Sequence, residues 1–175
     1  MSNFNLQESI EVLERTPSVF SQMLDGLSDK CTMTNEGGES WSPYDIVGHL
    51  IHGERTDWIT RIESARSAEN TTPFDDFDRF AQFEDSKGKS RKELLDEFKT
   101  LRKENLQTLA KMAIQEDELD KRGIHPHFGT VTMRELLSTW VAHDLGHIAQ
   151  IARVMAHQHK DDVGPWKKYL RIIED

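Results

Sequence analysis

The stretch Leu136-Leu137-Ser138-Thr139-Trp140-Val141-Ala142-His143-Asp144-Leu145-Gly146-His147-Ile148-Ala149-Gln150-Ile151 decides how this chain is read. At about 100° per residue, Leu136, Trp140, Ile151 and Val154 fall on one stripe of a helix. His147 lies close to the centre of that stripe and His143 just beside it. Residues four apart stack one turn above the other, with Cβ atoms roughly 5–6 Å apart, so both imidazoles can converge on one point. A polar group buried without a partner costs about 2–7 kcal/mol, and two inward-facing imidazoles therefore need one. A metal ion would satisfy both. Hydrogen bonds to core carbonyls or carboxylates would do so equally well, and the spacing alone does not choose between them.

Working outward, three further helices can be read. Thr16-Pro17 has the form of an N-cap followed by proline at the first helical position, leading into Val19, Phe20, Met23, Leu24 and Leu27, with a shorter helical turn ahead of it. Gly37-Gly38 breaks the chain before Ser42-Pro43, which opens a second helix carrying Ile46, Val47, Leu50, Ile51, Trp58, Ile59 and Ile62. Residues 70–88 are acidic and aperiodic and predict a long crossover loop, with room for one short helix. Its phenylalanines Phe74, Phe77, Phe80 and Phe83 recur every third residue and are expected to cover the bundle as a lid. Ser90 opens the third helix, a loop from Gly123 to Gly129 follows, and Thr132 with Glu135 forms a capping box ahead of the fourth. Strand signals are nearly absent. The expected fold is all-α: one four-helix bundle domain over residues 1–175, of the class that builds metal sites from inward-pointing side chains.

The chain has 175 residues, 36% of them hydrophobic and 30% charged, as expected for one globular domain. With 22 Lys and Arg against 31 Asp and Glu, its net charge of −9 argues against nucleic acid or an anionic membrane as partner. The first residues lack the pattern of a secretion signal and no apolar run approaches a bilayer span, which predicts a cytoplasmic protein. Cys31 is the single cysteine, so no internal disulfide forms, and it is read as incidental.

A third ligand is sought in Gly48-His49-Leu50-Ile51-His52-Gly53-Glu54. His49 sits at the edge of the apolar stripe and is favoured as the ligand; His52 lies toward the polar face and is read as a surface residue. Glu54 falls near the middle of the stripe, where a carboxylate needs a partner, either a ligand imidazole or Arg102 of the third helix. Three imidazoles with an open position make a catalytic rather than a structural arrangement, since structural zinc sites are closed by four protein ligands. Asp144 lies between the two histidines and has two roles open to it. It can orient a ligand imidazole, the slightly favoured reading, or pair with a core-facing arginine. Gln150, on the His143 side, is expected to pack, with a bond to a bound water or substrate as the other reading. His125 and His127 flank Pro126 in a loop and are expected to be solvated. His157 and His159 end the fourth helix, where a protonated ring favours the helix dipole.

Several blocks occur in the order found in one family: Thr16-Pro17 with Leu24; Trp41-Ser42-Pro43 leading to Gly48-His49-Leu50 and Glu54-Arg55; the closing Trp140 to Ile151 stretch; and Gly164-Pro165-Trp166 with Tyr169-Leu170. Together they make the chain resemble the DinB/YfiT-like metal-dependent four-helix bundles. The resemblance implies an up-down-down-up bundle and maps the family's metal histidines onto His49, His143 and His147. It implies a divalent ion, zinc or nickel foremost, that activates a low-molecular-weight thiol or a water for transfer, isomerisation or hydrolysis. Asp144, Gln150 and Glu54 are then the candidates for assisting groups, and a homodimer is compatible with the reading. The rival expectation is a non-catalytic bundle that sequesters or senses a metal or small ligand, or keeps the histidines as a structural clamp.

Overall fold

In a computed structural model, which describes residues 4–67 and 72–174, four long helical arms pack as a bundle. The first is α1 (Leu6–Leu24), followed by the short α2 (Asp29–Met33). The second arm is split into α3 (Pro43–Thr56) and α4 (Trp58–Arg66). After the short α5 (Ala81–Asp85) come α6 (Arg91–Met112), a two-stranded hairpin β1 (Arg122–His125) and β2 (Gly129–Thr132), and α7 (Met133–His157). Short 3₁₀ turns span Glu116–Asp120, Gly164–Tyr169 and Arg171–Ile173.

Capping chemistry sets most of these boundaries. Ser42 with Asp45, Ser90 with Glu93, and Thr132 with Glu135 each form a reciprocal capping box at the start of α3, α6 and α7. The first arm departs from expectation. Thr16-Pro17 does not open it; Asn5 does, its side chain accepting from the Glu8 N–H, and Pro17 lies buried inside the helix. Proline at this position leaves the Leu13 carbonyl without its i+4 donor. The Arg102 guanidinium takes that carbonyl at 2.9 Å, so the gap in the helix ladder is closed by another helix. The second arm also departs, since a single helix through Ile62 was expected. The ladder breaks at Asp57 (φ −111°, ψ −69°), whose N–H still reaches Gly53 O at 3.0 Å.

Side-chain ties give the topology. Tyr44 at the start of α3 bonds the carbonyls of Ser86 and Lys89 just ahead of α6, and Arg66 at the end of α4 bonds Glu118 just beyond α6, so these arms run parallel. His49 near the start of α3 meets His147 on α7 while Glu54 meets Trp140, which makes α3 and α7 antiparallel. The result is the up-down-down-up order, and parallel neighbours require the long crossover of residues 67–90. Asn70 and Thr71 at its start lie outside the described residues. Within it α5 presses on α3 at Gly48, where any Cβ would meet Ser86 Oγ.

Two apolar clusters fill the bundle. One gathers Leu13, Trp58, Ile62, Leu109, Met133, Leu137 and Trp140, and the other Phe20, Leu24, Ile46, Leu50, Phe98, Ile151 and Val154. The residues expected at the centre of the α7 stripe, Leu136, Trp140, Ile151 and Val154, are all buried. The segment read as a loop from Gly123 to Gly129 is instead the turn end of the β1–β2 hairpin, in which Gly123 pairs with Val131 and His125 with Gly129. Gly123 is required there because a Cβ would run into the Phe74 ring. The phenylalanine lid is only half formed. Phe74 is buried and Phe77 half-buried, whereas Phe80 and Phe83 stack on each other at 6.4 Å and are exposed.

Candidate metal centre

Helices α3 and α7 bring His49, His143 and His147 together, with one ring nitrogen of each lying within 4.8 Å of the others. His143 Nε2 is 3.2 Å from His49 Nε2 and 3.1 Å from His147 Nε2. Ligands held about 2.0–2.1 Å from a common ion, at angles between octahedral and tetrahedral, are separated by about 2.9–3.4 Å, so both distances suit shared coordination.

Proton bookkeeping points the same way. His147 Nδ1 is 2.8 Å from Gln150 Oε1, an oxygen that only accepts, so the ring proton is on Nδ1 and the Nε2 lone pair faces the cluster. A single proton on His143 Nε2 cannot align with both neighbouring nitrogens. The Nδ1 atoms of His49 and His143 are buried and have no partner among the described residues. Three Nε2 atoms converging around His143 are poorly served by hydrogen bonds among themselves and well served by a cation. Burial, reinforced by the His147 and His143 rings, brings the His49 pKa from 6.5 down to about 3. Burial and then His147 bring His143 to about 3 as well. His147 is also lowered by burial, with its Gln150 bond acting in the opposite direction. All three rings are therefore neutral near pH 7, the form that ligates.

The triad forms the floor of a cleft of about 400 Å³. Trp41 packs on the His49 ring at 4.7 Å, Phe77 meets it edge-on at 5.3 Å, and Trp58 meets His143 at 5.2 Å. The remaining polar residues that line the cleft are Asp57, Arg61, Arg79, His125 and His127. Sequence patterning missed Asp57, Arg61 and Arg79. The helix break at Asp57 carries no proline or glycine, and Arg79 arrives from the aperiodic crossover. Burial raises the Asp57 pKa although Arg61 Nε, 2.6 Å from Oδ1, opposes the shift.

The other candidates are redistributed. Asp144 is fully buried and does not orient an imidazole: its Oδ2 and Oδ1 accept from Arg102 Nη1 and Nη2 at 2.6 and 3.0 Å, and Oδ2 accepts from the Thr16 hydroxyl at 2.5 Å. Next to His143 in sequence, it points around α7 toward α1 and α6, which the wheel alone could not distinguish from pointing at the triad. Glu54 is buried in the same network, accepting from Arg102 Nη2 at 2.7 Å, Trp140 Nε1 at 3.0 Å and Asn105 Nδ2 at 2.9 Å. Neither carboxylate lines the cleft. Gln150, expected to pack, is the residue that holds His147. His52, expected at the surface, keeps only 12% of its side chain exposed, lying on Phe77 and 3.5 Å from Asp85. His125 is half-buried in the cleft wall, its Nδ1 accepting from the N–H groups of His127 and Phe128; His127 is exposed and pairs with Asp76 at 3.0 Å.

The model of the DinB superfamily matches residues 12–151, a span that includes the whole triad. Among solved structures, YfiT from Bacillus subtilis superposes with a TM-score of 0.76 at 22% identity, covering 90% of each chain. It is described as a probable metal-dependent hydrolase with an unusual four-helix bundle topology, and at this identity the likeness concerns the fold. No curated protein sequence matches the chain significantly. Among the described residues no helix is long and apolar enough to cross a membrane. With the match spanning most of its length and the bundle topology agreeing, the chain belongs to the DinB superfamily.

Proposed function

We propose that this protein is a metal-dependent enzyme in which His49, His143 and His147 hold one divalent ion, zinc or nickel, at the floor of the cleft. The observation that carries the reading is the convergence of three neutral imidazole nitrogens, two pairs of them 3.1 and 3.2 Å apart, beneath an open cleft of about 400 Å³. A bound divalent ion supplies Lewis acidity that brings the pKa of a thiol or water near neutrality. The chain's own residues do the rest. Gln150 fixes the His147 ring so that Nε2 faces the cluster. Trp41, Trp58 and Phe77 line the cleft with apolar rings, which lowers the polarity around the triad and strengthens electrostatic contacts made there. Arg61 holds Asp57 Oδ1, so that the cleft's one carboxylate is kept on its wall.

The reaction class that fits is nucleophilic attack by thiol or water on a small electrophile, as in an S-transferase or a hydrolase, with a low-molecular-weight thiol as the first co-substrate to test. Zinc- and nickel-loaded protein should be assayed with thiols plus an electrophilic acceptor, and separately with activated esters and amides. Turnover that requires the metal and is abolished in His143→Ala supports the enzyme. Stoichiometric metal binding without turnover in either panel would favour a sequestering or sensing bundle. A large fall in melting temperature on chelation, again without turnover, would favour a structural clamp.

A further inference from the structure

The charges in the cleft run against those of the rest of the molecule. The chain carries 31 acidic residues against 22 Lys and Arg, yet the cleft lining contains one carboxylate, Asp57, beside two arginines, Arg61 and Arg79. That carboxylate is already spoken for by Arg61. Arg61 is itself fixed: only 11% of its side chain is exposed, Nη2 reaches the Asp75 carbonyl at 3.4 Å, and the guanidinium lies 5.4 Å from the centre of the Phe74 ring. Arg79 is exposed and forms no ion pair among the described residues. It lines the same cleft as the three histidines. A guanidinium with no ion pair among the described residues, in a cleft also lined by the flat apolar rings of Trp41, Trp58 and Phe77, is half of a recognition site.

Resting on the reading of the cleft as a substrate site, we infer that it takes a small molecule with an apolar body and an oxyanion end, the body against the aromatic wall and the oxyanion on Arg79 with Arg61 beside it. A guanidinium fork suits both carboxylate and phosphate, since each offers paired acceptor oxygens. Electrostatics add selectivity: a net-negative protein with a locally cationic cleft admits anions there and repels them elsewhere.

The test is binding of benzoate, phenyl phosphate and the neutral benzyl alcohol, read by tryptophan fluorescence and by NMR line shifts, in metal-free and in zinc-loaded protein. The oxyanion probes should bind the metal-free protein at least about five-fold more tightly than benzyl alcohol, and Arg79→Gln should remove most of that preference while leaving benzyl alcohol unchanged. Arg79→Lys should retain part of it, which separates charge recognition from a folding defect. The two oxyanion arms show which headgroup the fork prefers. Equal affinity for charged and neutral probes, or a preference unaffected by Arg79→Gln, would overturn the inference. Zinc stoichiometry measured on the same samples keeps the two readings apart: a preference dependent on Arg79 without zinc binding sinks only the metal site, and zinc binding without that preference sinks only the oxyanion site.

Discussion

Helices α3 and α7 each contribute to two buried polar clusters, and the two are finished in opposite ways. Around Arg102, which is 1% exposed, all four carboxylate oxygens of Glu54 and Asp144 accept protein donors, and the guanidinium lies over the Phe98 and Trp140 rings. Around His143, two buried Nδ1 atoms have no partner among the described residues and three Nε2 atoms crowd together. The first cluster satisfies every carboxylate oxygen, leaving Arg102 Nε as its one atom without a partner among the described residues, and ties α1, α3, α6 and α7 together. In the second the converging Nε2 atoms lack a shared partner that a cation would supply, and the cluster opens on a cleft. Paired charge therefore marks the structural tie here, and a convergence of neutral imidazole nitrogens at a cleft marks the candidate site.

The largest expected effect breaks the charged cluster. Arg102→Met would leave two buried carboxylates unpaired and should cost about 3–5 kcal/mol in chemical denaturation, with metal stoichiometry retained by whatever remains folded. A loss below about 1 kcal/mol would mean that the network is not the tie described. Asp144→Asn keeps the Arg102–Glu54 pair and should cost less, about 1–3 kcal/mol, without changing metal affinity. Weakened metal binding at unchanged stability would return Asp144 to the imidazoles.

Acid should act on the other cluster. Because the folded pKa values of His49 and His143 lie near 3 and the unfolded ones near 6.5, the unfolded chain binds more protons between those values. The stability of metal-free protein should be fully present above pH 6.5 and be lost as pH falls toward 3. In His143→Ala the slope between pH 6.5 and 5 should be shallower, which urea titrations at several pH values will show. An unchanged slope would place the acid sensitivity elsewhere.

Gln150→Ala should lower metal affinity roughly 10–100-fold with the bundle intact, since a partner that fixes a ligand's tautomer acts on affinity rather than on folding. Isothermal titration of the variant checks this, and an affinity equal to wild type would reduce Gln150 to packing. The smallest effect is His52→Ala. Its ring packs on Phe77 outside the triad, so a loss of about 1 kcal/mol by thermal melting, with full metal stoichiometry, is expected.

Much of this architecture was legible in the sequence because periodicity reports which face of a helix is buried. That held for the α7 stripe and for the capped starts at Ser42, Ser90 and Thr132. Periodicity does not report which neighbour a buried polar side chain meets. Asp144 and His143 are consecutive and both point inward, yet one meets α1 and α6 and the other meets α3. Glu54 had two partners open to it, and the structure selects Arg102. Local signals also misled where tertiary contacts override them. Thr16-Pro17 has the form of a helix start, but Arg102 supplies the bond that proline removes and the helix runs through. The cleft's polar lining was the least legible part, because Asp57 breaks a helix without proline or glycine and Arg79 lies in an aperiodic crossover.

The most direct test of the account is the metal content of wild type, His49→Ala, His143→Ala and His147→Ala after reconstitution with zinc or nickel and removal of excess ion. The account predicts about one ion per chain for wild type and loss of that ion in each variant, with far-ultraviolet dichroism unchanged, since losing one of three ligands leaves an incomplete site. Full stoichiometry in any of the three variants, or a wild-type protein that retains no ion, would contradict it.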